Sequence, residues 1–170
     1  MSRAFVKDDA PDGPQIIPPR PALPPGVANY VTPRGLRKLR EELTVLEAKR
    51  GQVGSAKNRH NADVAHELSL VKGLIAQLEN RIGSARLVDP AGQPRAEARF
   101  GATINLRSES GMEQTLTIVG VDEAEAAEGR IGFLAPVARR MTGKKVGAFV
   151  PMPSPNGEEI FEITSISYLG

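Results

Sequence analysis

The ten residues KNRHNADVAH (57–66) gather much of what this chain offers for chemistry at close quarters: both of its histidines, two cations and one acid. Lys57 and Arg59 suit phosphate oxygens or acidic partner residues, since both carry donors and no acceptor. His60 and His66 are six apart with Asp63 between them, and on a helix they face different ways, so they do not converge on a metal ion. Asp63 and Glu67 are four apart and share a helical face. A divalent cation would accept such a pair, but a capping acid followed by a surface acid has the same spacing. A second basic group, Arg139, Arg140, Lys144 and Lys145, reads as a helix face that is either solvated or turned towards a partner.

Other chemistries are missing from the pattern. There is no cysteine, which removes thiol catalysis, disulfides and Cys-based zinc sites. No Gly-rich phosphate loop, no GxSxG and no favourable Ser/His/Asp spacing occurs. The chain gives no ground for an enzyme activity, a metal site or a cofactor of its own.

The elements that must carry these residues follow from periodicity. Residues 1–31 hold seven of the fourteen prolines and predict an extended, partly polyproline-II arm, read as a flexible lead-in. Thr32-Pro33 opens a helix as N-cap and first-turn proline. Leu36, Leu39, Leu43 and Leu46 then form one apolar stripe, which thins where Gly51 and Gly54 weaken the helix. Asn61 caps a second helix with Asp63 in its first turn, and its stripe runs Leu68, Val71, Ile75, Leu78, Ile82, Ala85. Alternating steps of three and four predict an antiparallel coiled-coil hairpin over 32–89. Arms of about 25 residues would reach roughly 37 Å. KNRHNADVAH lies where that hairpin turns.

After a linker over 90–98 the period becomes two. FGATINL (100–106), QTLTIVG (114–120), RIGFL (130–134), GAFVPM (147–152) and EIFEITSISYL (159–169) predict strands, and PVARRMTGKKVG (136–147) a short helix ended by Gly143. The fold class is α+β: a helical hairpin, then a small, mostly antiparallel sheet domain over 99–170 with one helix.

Charge is unevenly spread. Residues 32–89 carry eleven Lys/Arg against seven Asp/Glu, whereas 90–170 carry eight against ten. The net +2 is too weak, taken whole, to argue for nucleic acid. The first residues lack an apolar leader, and no run approaches a membrane span, so a cytoplasmic protein with no membrane partner is expected.

TPRGLRKLREEL (32–43), VDP (88–90), FGATINL, TLTIVGVDEA (115–124), APVARRMTGKKVGAFV (135–150) and EEIFEITSISYL together resemble the GreA/GreB transcript-cleavage factors over residues 30–169. The resemblance implies a transcription elongation role in DNA-bound complexes, an FKBP-like C-terminal domain, and RNA polymerase core as the partner of a monomer. That domain would dock at the rim of the polymerase secondary channel, and the hairpin would enter it. In cleavage-active members an Asp and a Glu at the tip, in a pattern like D-x-x-E-N-A-[DE]-Y, help hold a second Mg²⁺. Laid on that pattern, this chain keeps Asn61, Ala62 and Asp63 but has Lys57 at the Asp position and His60 at the Glu position. Between 49 and 61 stand four Lys/Arg and no acid, whereas Mg²⁺ wants anionic oxygen. The expected tip facing the polymerase active centre is Lys57, Arg59, His60, Asn61 and Asp63, with RNA or nucleotide phosphates within its reach. The hairpin is shorter than the family's by roughly a dozen residues, or about 9 Å of reach. The docking residues that the resemblance implies are Leu134, Ala135, Pro136 and Arg139, with Leu134-Ala135 where the family usually shows a polar residue and Ser.

Three rival readings accompany this one. Asp63 and Glu67 could make an active cleavage factor. The sheet domain could be a prolyl isomerase, with Phe100, Phe133, Phe149, Phe161 and Tyr168 as its aromatics. The hairpin could be a helix-in-groove ligand for a non-polymerase partner.

Overall fold

The structure, a computed structural model, describes residues 16–55 and 61–169. Helix α1 spans Pro33–Gly54 and α2 spans Ala62–Gly83, 22 residues each. At 1.5 Å per residue each is about 33 Å long. Thr32 caps α1 by accepting the Gly35 N–H at 2.9 Å, and Asn61 caps α2 by accepting the Asp63 N–H at 3.0 Å. These bonds satisfy donors that a helix start leaves without partners.

The hairpin buries Leu39, Val71, Ile75 and Leu78, with Leu36, Leu43, Leu46 and Ile82 packed beside them. Gly51 and Gly54 do not end α1 early. Val53 lies seven residues beyond Leu46, is half-buried and lines one cleft with Val64 and Leu68, so apolar residues of both arms still face each other near the tip end.

The base of the hairpin departs from the sequence expectation. α2 stops at Gly83, and Ala85 stands in strand β2, Ala85–Leu87, from which it still packs against the hairpin core. β2 pairs in parallel with β1, Asn29–Val31, which the sequence placed in the arm. Asn29 is buried and its Nδ2 donates to the Arg81 carbonyl at 2.9 Å and the Ser84 hydroxyl at 3.1 Å. It thus serves one of the carbonyls that the end of α2 leaves open.

The second unit is a five-stranded sheet built from β3 (Ala102–Ser108), β4 (Glu113–Val119), β5 (Arg130–Gly132), β6 (Phe149–Ser154) and β7 (Gly157–Tyr168). The order is β5-β4-β3-β7-β6, antiparallel throughout except for the β4/β5 pair. One face buries Ile104, Leu106, Ile118, Val150, Phe161 and Ile163, and the short helix α3, Pro136–Met141, closes over it with Ala138 and Met141. The α+β hairpin-plus-sheet architecture matches the sequence reading. α3 stops where Gly143 is expected to end it: the chain turns through Thr142 and Gly143, whose N–H donates to the Ala98 carbonyl at 2.7 Å. Among the described residues no helix is long and apolar enough to cross a membrane.

Candidate partner-binding surfaces of the hairpin and the sheet domain

Of the expected tip, Asn61 and Asp63 are exposed at the start of α2, while Lys57, Arg59 and His60 lie outside the described residues. Asn61 uses its side-chain oxygen to cap α2, and Asp63 sits in the first turn, where a negative charge complements the helix dipole. Farther down, Lys49 Nζ on α1 lies 3.3 Å from Glu67 Oε1 on α2. Both are about half exposed, so the pair adds little stability. It does place a cation against one member of the Asp63/Glu67 pair. Among the described residues there is no cluster of three His, Asp or Glu side chains that could hold a metal ion.

The expected docking residues line up at the entry to α3. Leu134 and Ala135 are half-buried, and Pro136 and Arg139 are exposed. The Ala135 N–H donates to the Gly132 carbonyl at 2.9 Å, which sets the turn. Ala135 stands at the N-cap and supplies no side-chain acceptor. The second basic group is not one helix face. Arg140 donates to the Pro151 carbonyl at 3.0 Å and pairs with Glu158 at 3.4 Å, while Lys144 and Lys145 lie beyond the end of α3.

Beside Arg139 opens a cleft of about 570 Å³, lined by Tyr30, Phe100, Ile118, Phe133, Arg99 and Thr142 among others. Tyr30, Phe100 and Phe133 form a trio with ring centroids 5.7–5.8 Å apart in tilted and edge-on contacts. Such geometry sets the positive edge of one ring against the negative face of another. Sequence reading had the two phenylalanines; Tyr30 comes from the segment read as a free arm. Of the other aromatics, Phe161 is buried in the core and Phe149 is exposed. The Tyr168 hydroxyl accepts from the Arg99 N–H at 2.9 Å and donates to the Glu97 carbonyl, and burial pushes its pKa up.

A joint between hairpin and sheet domain is the best-built polar cluster, and the sequence reading missed it. Glu123, in the turn after β4, is only 5% exposed. It accepts from the Thr32 hydroxyl at 2.5 Å and pairs with Arg34 at 3.3 Å, so a sheet-domain carboxylate sits on the N-terminus of α1. A Cβ at Gly35 would fall 2.6 Å from Glu123 Oε2, which explains glycine in the first turn of a helix. Next to it, Asp122 meets Arg20 at 2.9 Å and Arg81 at 3.4 Å. The available signal was the charge asymmetry: of the acids in VDEAEAAE, Asp122 and Glu123 face the basic hairpin, while Glu125 and Glu128 pair with Arg130 of their own domain.

Comparison with known proteins places this architecture. The sequence profile of the transcription elongation factor GreA/GreB C-terminal region matches residues 93–168. Transcription elongation factor GreA of Alkalilimnicola ehrlichii is 36% identical over 152 residues, covering 81% of this chain and 96% of that protein. Transcription elongation factor GreB of Neisseria meningitidis is 30% identical over 154 residues, covering 83% and 94%. Among solved structures, the GreA/GreB factor from Nitrosomonas europaea aligns at 22% identity with a TM-score of 0.42, covering 82% of this chain and 98% of that one. With 36% identity along nearly the full length of a GreA, the chain belongs to the GreA/GreB family of transcription elongation factors.

Proposed function

We propose that this protein binds RNA polymerase core, docks through the Leu134–Arg139 region, inserts its hairpin in the secondary channel and does not stimulate transcript cleavage. It acts there as an inhibitor or as a competitor of cleavage-active relatives. The partner follows from family membership. The lack of cleavage rests on one observation: the run from Lys49 to Asn61 contains four Lys/Arg and no acid. A second Mg²⁺ and its attacking water need anionic oxygen ligands, which lysine and arginine cannot supply. A cation beside Mg²⁺ is repelled by several kcal/mol at short range if the effective dielectric is about 20. Of the two acids that follow the tip, Glu67 faces Lys49 at 3.3 Å, which leaves Asp63 as a single carboxylate rather than a pair for a metal ion. Any chemistry at the RNA end belongs to the polymerase, and the basic tip is suited to RNA or nucleotide phosphates.

The test is a halted, backtracked elongation complex incubated with the full chain. The protein is expected to be retained on core polymerase, to release no 3′ RNA fragment, and to slow cleavage when an active family member is added. Ready cleavage by the wild-type chain overturns the tip assignment. Failure to be retained on core polymerase favours a different partner for the hairpin. Lys57→Asp combined with His60→Glu restores acids at the tip and should gain cleavage if the arm reaches far enough.

A further inference from the structure

Residues 16–23 precede the region in which the sequence resembles its family, and they are not idle. Ile17 lies over Gly73 in the middle of α2: a Cβ at Gly73 would fall 2.3 Å from Ile17 Cδ1. A glycine there costs a helix roughly 1 kcal/mol relative to alanine, and here it opens a notch that an isoleucine fills. Gln77 donates to the Pro18 carbonyl at 3.1 Å, and Arg81 donates to the Pro21 carbonyl at 2.7 Å. Polyproline-rich backbone suits this docking. Its carbonyls have no internal partners, and its dihedrals are largely fixed before it binds.

Arg20 is the centre of the arrangement. Its Nη1 and Nη2 donate to the two oxygens of Glu42 on α1, at 2.8 and 3.0 Å. Its Nε donates to Asp122 Oδ1 of the sheet domain at 2.9 Å. The other oxygen of Asp122 lies 3.4 Å from Arg81 on α2. Arg20 is 15% exposed and Asp122 5%, so this pair is mostly withdrawn from water, while Glu42 is 45% exposed and its share of the contact is screened by solvent. One planar guanidinium thus holds Glu42 by a two-pronged contact and Asp122 by a third donor, on separate bodies of the protein, a geometry that a lysine's ammonium does not reproduce. The hydrogen bond to Glu42 raises the Arg20 pKa and outweighs the opposing effect of burial, with Asp122 adding to the rise.

We propose that residues 16–23 form a clasp that sets the angle at which the hairpin stands on the sheet domain, with Arg20 as its positioning residue. The value of a fixed angle for channel entry rests on the function proposed above, but the clasp is a property of the free protein and is tested there. The chain has no cysteine, so Ser55→Cys near the hairpin turn and Asn156→Cys in the β6–β7 turn take spin labels at unique sites. Pulsed dipolar distances are then measured on the full chain. The wild type should give one narrow distribution. Arg20→Ala should broaden it and shift the ratio of clasped to unclasped orientations by about tenfold, with helix content by circular dichroism unchanged. Arg20→Lys should recover part of the narrow component, and Ile17→Ala should broaden the distribution without touching any charge. If the Arg20→Ala and Ile17→Ala distributions both superimpose on the wild type, the proposal is wrong. Loss of polymerase binding by the wild-type chain would refute the function proposed above and leave this result standing.

Discussion

Removing the Glu123 carboxylate tests whether the two bodies are tied by chemistry or only lie next to each other. Three terms change in Glu123→Ala. The hydrogen bond from the Thr32 hydroxyl is charge-assisted and buried, a class worth about 1.5–3 kcal/mol net. The Arg34 pair has its arginine 42% exposed, so solvent screening holds it below about 1 kcal/mol. The favourable position at the N-terminus of α1 adds about 0.3–1 kcal/mol. Against these stands the cost of keeping a carboxylate nearly dry, which its removal returns. The expected net loss is about 2–3 kcal/mol for Glu123→Ala. For Glu123→Gln, which keeps an acceptor for Thr32, it is about 1 kcal/mol. Urea unfolding reads this as a lower midpoint with an unchanged slope. The chain has no Trp and two tyrosines, and Tyr30 stands in the hairpin base while Tyr168 lies in β7, so tyrosine fluorescence samples both bodies. A double-mutant cycle with Thr32→Val separates the Thr32–Glu123 contact from the helix cap that Thr32 also provides. A coupling below about 0.5 kcal/mol, the usual additivity error, would refute the reasoning.

Two further outcomes follow from local geometry. Ala135→Ser places an acceptor at the N-cap of α3, where none now exists, and should stabilise the sheet domain by about 1 kcal/mol in thermal or urea unfolding; no gain would mean that the α3 start is already satisfied. Glu159 has its pKa lowered, first by the Ser110 hydroxyl and then by Ser108. A depressed carboxylate contributes stability above its unfolded pKa and loses it as pH falls through the folded one. Ser110→Ala should therefore raise the Glu159 pKa towards the ordinary glutamate value in an NMR titration and remove that part of the acid sensitivity.

The hairpin was legible because each helix writes its seam in one stretch of sequence. The Thr32 and Asn61 caps and the stripes through Leu39 and Leu78 all declare themselves locally. The core strands were equally plain, since Ile104, Leu106, Ile118, Phe161 and Ile163 fall at alternate positions. What stayed hidden is long-range. Nothing next to Tyr30 announces that it will pair with Phe100 and Phe133, nor next to Arg20 that it will meet Asp122, 102 residues away. β1 and β2 have three residues each, too short for periodicity to speak, and they exist because they pair with each other. The end of α3 was legible too, since Gly143 stops the helix as its type predicts, while the bridge between Glu97 and Lys145 that carries the chain on from there left no local mark.

The slender shape of the hairpin has a mechanical corollary. A rod about 33 Å long that pivots by ten degrees at its foot carries its far end through about 6 Å. That sweep exceeds the length of any contact the far end could make. Side chains that never meet the target, packed around the pivot, therefore govern aim. Sequence drift at the foot can retune what the distant end reaches while every residue at that end stays the same.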